Sequence, residues 1–171
     1  MGFFTTTATV THTIPLPANT PRVTVIELLR DHDFLIRIDP EMESYSQTPS
    51  ASSESDSLVK SYVIINDMPA IPKSLYDAKV KCDVVLTDVE DGTEGLVHAP
   101  LGVVQKGIWK VAGSEGNLEL VIMTEIACSR LAMGIVKAKA EANGPVVKKG
   151  FLEALEKLER EGEEKESVKA G

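Results

Sequence analysis

The sequence predicts an α+β domain: a curved antiparallel sheet of about seven strands wrapped around a long C-terminal helix, with two short helices after the first strand. Three observations carry this expectation. Apolar residues alternate with period two from Thr5 to Leu16, and again through strand-like runs between Leu58 and Cys128. From Ser129 onward the period lengthens to three or four residues, the spacing of an amphipathic helix. Between the first strand and a serine-rich stretch, Pro21 and Asp31 each stand just before a short run with helical spacing.

The first strand places Ala8, Val10, His12, Ile14 and Leu16 on one side and Thr7, Thr9, Thr11 and Thr13 on the other. Pro15 and Pro17 end it. Thr20 reads as an N-cap with Pro21 at the first helical position, and Val23, Ile26 and Leu29 carry that helix to Arg30. Asp31 to Pro40 holds Phe34, Leu35, Ile36 and Ile38 among charges and reads as the second short helix. Ser46 to Ser57 lacks large aliphatic residues and reads as a mobile loop between two strands. Strands are expected over Leu58 to Ile65, Ala78 to Asp88, Thr93 to Ala99, Val103 to Val111 and Leu118 to Cys128, with Met68 to Pro72 as a connection.

Asp91-Gly92 marks a hairpin. Pairing about it sets Leu86 opposite Val97, Val84 opposite Ala99 and Val85 beside His98. The concave face then carries Val80, Cys82, Val84, Leu86, Val97 and Ala99. It continues through Val103, Gln105, Trp109 and Val111, and through Leu120, Ile122, Thr124, Ile126 and Cys128. In the final helix the apolar stripe reads Leu131, Ile135, Ala138 and Ala142, then Val147, Phe151, Leu155 and Leu158. Asn143-Gly144-Pro145 is expected to kink or break it, because proline lacks the backbone donor and crowds the preceding turn. The domain is assigned to residues 1–158, and 159–171 to a charged, solvated and disordered tail.

Composition narrows the function. A chain of 171 residues matches one domain, large enough to bury a core without disulfides or metals. The net charge of −8 opposes nucleic-acid binding, which depends on Lys and Arg neutralising phosphates. Cys82 and Cys128 sit in apolar runs and read as buried free thiols. No stretch is long and apolar enough for an integral membrane segment, and no signal peptide is evident, so the expected compartment is cytoplasmic. Gly2 and Thr6 formally fit a myristoylation pattern, against which Phe3 and Phe4 are bulky. Nucleotide, zinc-protease and serine-hydrolase signatures are missing, and no cofactor or metal is expected. The oligomeric state stays open.

The order of strand, two short helices, antiparallel meander and long helix resembles the START-related helix-grip superfamily. That superfamily includes polyketide cyclases, lipid-transfer domains and the birch-pollen allergen group. The runs Ile14-Pro15-Leu16-Pro17, Asp31-His32-Asp33-Phe34-Leu35-Ile36-Arg37, Ala99-Pro100-Leu101-Gly102-Val103 and Cys128-Ser129-Arg130-Leu131 are similar to a filamentous-fungal group within it that has no assigned function. The resemblance implies an apolar cavity between sheet and long helix, holding a lipid, sterol or secondary metabolite. It implies no catalytic residues, because the superfamily shares no such set.

His12 is the candidate acid or base, since it interrupts an apolar strand face and imidazole titrates near neutral pH. The competing reading is a satisfied buried histidine. Gln105, Trp109, Thr124 and Cys128 share its face and are candidate ligand contacts, with Val84, Leu86, Val97, Leu120 and Ile122 as apolar lining. Arg37 could meet a ligand carboxylate at the cavity mouth, or pair with Asp33 or Asp39. Adjacent residues Asp31, His32 and Asp33 cannot converge on one ion from a helix and read as surface or capping groups. His98 and Glu125 fall on the outer face. Three functions are compatible: apolar ligand binding, a cofactor-independent cyclase, isomerase or dehydratase, and a protein-interaction scaffold using the 46–57 loop or the tail.

Overall fold

A computed structural model describes residues 5–49, 58–67 and 79–169. In chain order these form β1 (Thr5–Pro15), α1 (Arg22–Arg30), α2 (His32–Arg37), β2 (Met42–Thr48), β3 (Val59–Asp67), β4 (Lys79–Val89) and β5 (Gly92–Ala99). A single 3-10 turn, Pro100–Gly102, then leads to β6 (Val103–Ser114), β7 (Asn117–Ser129) and α3 (Arg130–Lys169). The strands make one antiparallel sheet in the order β1-β7-β6-β5-β4-β3-β2. This is the helix-grip architecture expected from the sequence, with α1, α2 and α3 against the concave face.

Alternation explains the face choice. Val10, Ile14, Val84, Leu86, Leu120, Ile122 and Ile126 are all buried, while His98 and Glu125 are exposed on the outer face. The main core joins Ile14 of β1, Leu29 of α1, Val111 and Leu120 of the sheet, and Val147, Phe151 and Leu155 of α3. Cys82 and Cys128 are buried free thiols, and burial raises both above the ordinary thiol range.

Several local expectations need correction. The hairpin register is shifted by two residues: Val84 faces Val97, Leu86 faces Gly95, and Asp83 faces His98. The tight turn is Glu90-Asp91, closed by the Val89 and Gly92 pair. A two-residue slip preserves side-chain faces, so the concave set survives. Gly92 is required there for a different reason, since a Cβ would overlap the Trp109 carbonyl oxygen. Thr20 does not cap α1; it is buried, and its hydroxyl donates to Glu159 Oε1 of α3 at 3.3 Å. Pro21 occupies the cap position without a side-chain bond. β2 extends through Ser46 to Thr48, because pairing with β3 overrides weak strand propensity. Residues 50–57, the rest of the expected loop, lie outside the described residues, as do 1–4 with Gly2 and the 68–72 connection.

The largest difference is in α3. The helix runs unbroken through Pro145 and on to Lys169, past the expected tail boundary. Spaced Lys-Glu pairs such as Lys157–Glu161 supply i,i+4 support to its solvated end. Its packed stripe is Ala132, Val136, Ala140, Gly144, Val147, Phe151 and Leu155, one to two residues out of phase with the expected Leu131, Ile135, Ala138 and Ala142 and in agreement with it from Val147 on. Small residues win this face because the helix backbone must approach β1 closely.

Candidate functional site

Between α2, the first half of α3 and the concave surface of β3–β6 lies a cavity of about 860 Å³. Its floor is built by sheet register. Val84, Val97 and Gln105 form one cross-strand row, and Leu86, Gly95 and Gly107 the next. The two glycines leave the middle of the sheet bare, and the Trp109 indole lies over Gly107, with Nε1 3.7 Å from where a Cβ would stand. Leu35 and Ile36 of α2 close one side, and Ala132, Val136, Lys139 and Ala140 of α3 another. Leu101, Leu131 and Ile135 also line the cavity yet are 71%, 93% and 60% exposed, so they mark its mouth. Leu101 is held there in the left-handed region at φ 63°, a conformation costing about 1–2 kcal/mol for a residue with a Cβ.

The lining is mostly apolar, with Thr93, Gln105, Ser129 and Asn143 as isolated polar groups and the charged side chains gathered at one end. There Asp39 and Glu41, from the turn after α2, meet Asn66 of β3 and Lys139 of α3. Asp39 Oδ1 accepts from the Glu41 backbone N–H at 3.0 Å, and Oδ2 accepts from Asn66 Nδ2 at 3.4 Å. Asn66 Oδ1 is buried with no hydrogen-bond partner among the described residues. Glu41 Oε2 forms an ion pair with Lys139 Nζ. Burial raises the Asp39 carboxyl above the usual carboxylate range, against the opposing pull of Lys139 and Asn66. Burial likewise lowers the Lys139 ammonium, against the pull of Asp39. Groups perturbed by desolvation inside an apolar cavity are where chemistry and recognition concentrate.

Of the sequence-predicted contacts, Gln105, Trp109, Val84, Leu86 and Val97 line this cavity. His12, Thr124, Cys128, Leu120, Ile122 and Arg37 do not. The first five of these share the concave face, but α3 lies across β1 and β7 and covers that part of the sheet, so the cavity is displaced toward β3–β6. His12 Nε2 donates to the Ala140 carbonyl at 3.0 Å, with its ring packed where a Gly144 side chain would stand. It is a half-buried histidine with a backbone partner, and the glycine of Asn143-Gly144-Pro145 exists to admit it. Gly144→Val is therefore expected to destabilise the protein by about 1–3 kcal/mol, with His12→Ala recovering part of that loss. Thermal unfolding of the two single variants and the double variant measures this coupling; additive losses would contradict it.

Arg37 pairs with Asp33 at 2.9 Å and lies 5.4 Å from the Tyr45 ring centre, on the surface beside α2. Tyr45 also donates to Asp33, and these two hydrogen bonds hold the Asp33 carboxyl below its usual range. Asp31 caps α2 through Phe34 N–H. His32, expected at the surface, is only 4% exposed: its Nε2 lies 2.8 Å from Asp88 Oδ1 and its Nδ1 3.0 Å from the Tyr62 hydroxyl. Thr93 extends the network to Leu29 O at 2.7 Å. These bonds fasten α1 and α2 to β3, β4 and β5 beneath the cavity. Among the described residues, no three His, Cys, Asp or Glu side chains gather as a metal site, and no helix is long and apolar enough to cross a membrane.

Solved structures share the architecture. The ZhuI aromatase/cyclase of Streptomyces sp. R1128 superposes with TM-score 0.64 at 16% identity, over 88% of this chain and 94% of that one. The di-domain aromatase/cyclase BexL of the BE-7585A biosynthetic pathway gives TM-score 0.64 at 8% identity, over 86% of this chain and 49% of its own. Ara h 8.0201 gives 0.54 at 11%, over 87% and 99%. Identities this low show the fold alone. No curated protein sequence matches the chain. Residues 5–157 match the family model described as "Domain of unknown function (DUF7053)", which spans β1 to the buried end of α3; the chain belongs to the DUF7053 family.

Proposed function

We propose that the protein binds an apolar small molecule, a lipid, sterol or secondary metabolite, inside the cavity between α3 and the sheet. The observation that supports this reading is the cavity of about 860 Å³, walled mainly by aliphatic side chains. Ligand pockets commonly span about 300–1,000 Å³ with a predominantly apolar lining and a few placed polar groups. The exposed Leu101, Leu131 and Ile135 provide an apolar rim through which such a molecule would enter. Native mass spectrometry of protein purified gently from its own host is expected to show an extra mass that disappears on denaturation. A clean apo mass, unchanged after incubation with added lipids and polyketides, would remove the proposal.

One observation favours a second reading, a cofactor-independent cyclase, isomerase or dehydratase. Asp39 presents to a largely apolar cavity a carboxyl that burial shifts upward, the direction a proton donor or acceptor requires. The folds of ZhuI and BexL are compatible with such chemistry. The same mass measurement separates the two: an enzyme returns a changed compound, and Asp39→Asn returns it unchanged.

A further inference from the structure

The polar end of the cavity carries information about what the ligand looks like. Among the described residues Asn66 Oδ1 is a buried acceptor with no donor, and leaving such a group unpaired is costly. A ligand hydroxyl reaching it would supply that donor. Asp39 already accepts from Glu41 N–H and from Asn66, which fixes its carboxyl against the cavity wall. Burial shifts it toward the protonated form, in which it can donate to a ligand oxygen. Lys139 is engaged by Glu41, which compensates its charge.

The charge balance restricts the ligand further. Among the described residues of the lining, Lys139 is the one cation and is already engaged by Glu41, while Asp39, Asn66, Asn143 and Cys82 bring no positive charge. A carboxylate or phosphate head placed here would lose its water and meet no cation beyond the one Glu41 already engages, and burying an uncompensated anion is costly. A wholly apolar molecule would leave Asn66 Oδ1 unpaired. An uncharged oxygen satisfies both constraints.

We infer that the cavity takes an apolar molecule with an uncharged hydroxyl or carbonyl at one end, read by a subsite made of Asn66, Asp39, Glu41 and Lys139. The inference rests on the cavity-binding reading above and deepens it. It assigns the ligand an orientation: oxygen function toward the turn after α2, apolar body toward Val84, Val97 and the mouth at Leu101.

The test is a matched series of linear probes, tetradecane, tetradecanol, methyl dodecyl ketone and tetradecanoate, competing at pH 8 with the neutral fluorophore N-phenylnaphthylamine. One net hydrogen bond is worth about 0.5–1.5 kcal/mol, so the alcohol and ketone are expected to bind about three- to tenfold tighter than the alkane. Tetradecanoate is expected to be the weakest of the oxygenated probes. Asn66→Leu should abolish the preference for the alcohol while keeping the alkane affinity, which also shows that the variant is folded. Should that variant not fold, the wild-type series decides alone. Equal affinity for all four probes would overturn the inference and leave the cavity reading intact, as would tightest binding of tetradecanoate. If neither the fluorophore nor any probe binds, the cavity reading itself fails.

Discussion

Replacing Val84 and Val97 together by tryptophan is expected to abolish ligand binding while leaving the protein folded. The two valines are directly opposed on β4 and β5, and both line the cavity floor. Opposed residues on one face of a sheet have Cβ atoms about 4.5–5.5 Å apart, so two indoles would stand side by side in the space a ligand occupies. Overpacking a filled core costs about 1–3 kcal/mol, but here the added volume enters an existing void, so the cost falls toward the low end. Displacement of N-phenylnaphthylamine should weaken by at least about a hundredfold, equivalent to about 2.8 kcal/mol. The matching control is Val85→Trp, which places the same ring on the opposite face of the same strand and should leave binding unchanged. Wild-type affinity in the double variant would mean that the ligand lies elsewhere.

How much of this was legible follows from which physical signals are local. Period-two alternation decides the face of each strand, and it placed Val84, Leu86, Val97, Gln105 and Trp109 correctly on the concave side even though the β4–β5 register was displaced by two residues. That slip arose from centring the turn on Asp91-Gly92. The glycine instead pairs with Val89 inside the ladder, where its lack of a side chain lets the Trp109 carbonyl come close. In α3 the sequence offered two apolar stripes one residue apart, a bulky one through Leu131 and Ile135 and a small one through Ala132, Val136 and Ala140. Hydrophobicity favours the first. The close approach of α3 to His12, a tertiary fact, selects the second and leaves the bulky pair at the cavity mouth.

The polar end of the site was hidden for a related reason. Asp39, Glu41, Asn66 and Lys139 come from three separate elements, and no spacing in the chain links them. A partial signal existed in the strand pattern: Asn66 continues the concave phase of Tyr62 and Ile64, as Asp88 continues that of Val84 and Leu86. A polar residue in phase with a buried row is either the end of the strand or a group with a buried partner. Asp88 is the second case, with His32 as partner. His32 in turn shares a helical face with Ile36, four residues on, and both are buried. Reading Asp31-His32-Asp33 as three adjacent charges concealed that periodicity, although the argument that the three side chains diverge was sound.

Phe151→Ala is expected to lower stability by about 3–5 kcal/mol, the usual cost of removing a fully buried aromatic ring. Phe151 is 0% exposed, and its neighbours in the main core come from β1, α1, β6, β7 and α3, so one side chain joins the helix to most of the sheet that it covers. Its ring also meets Phe34 of α2 with centres 5.8 Å apart. Gly150 beside it brings the helix so near Ile38 that a Cβ would stand 3.1 Å from Ile38 Cγ1, which leaves little room for collapse around a cavity. Domains of this size lose about 2–4 °C per kcal/mol, so the midpoint of thermal unfolding should fall by about 10 °C. Leu131→Ala supplies the contrast. It removes a similar apolar mass from the same helix at a residue 93% exposed and should change stability by no more than about 0.5 kcal/mol. A loss below about 1 kcal/mol for Phe151→Ala would mean that α3 does not close the core. The cavity would then lose the wall that carries Val136 and Lys139, so a small effect would count against the binding site as well as against the fold.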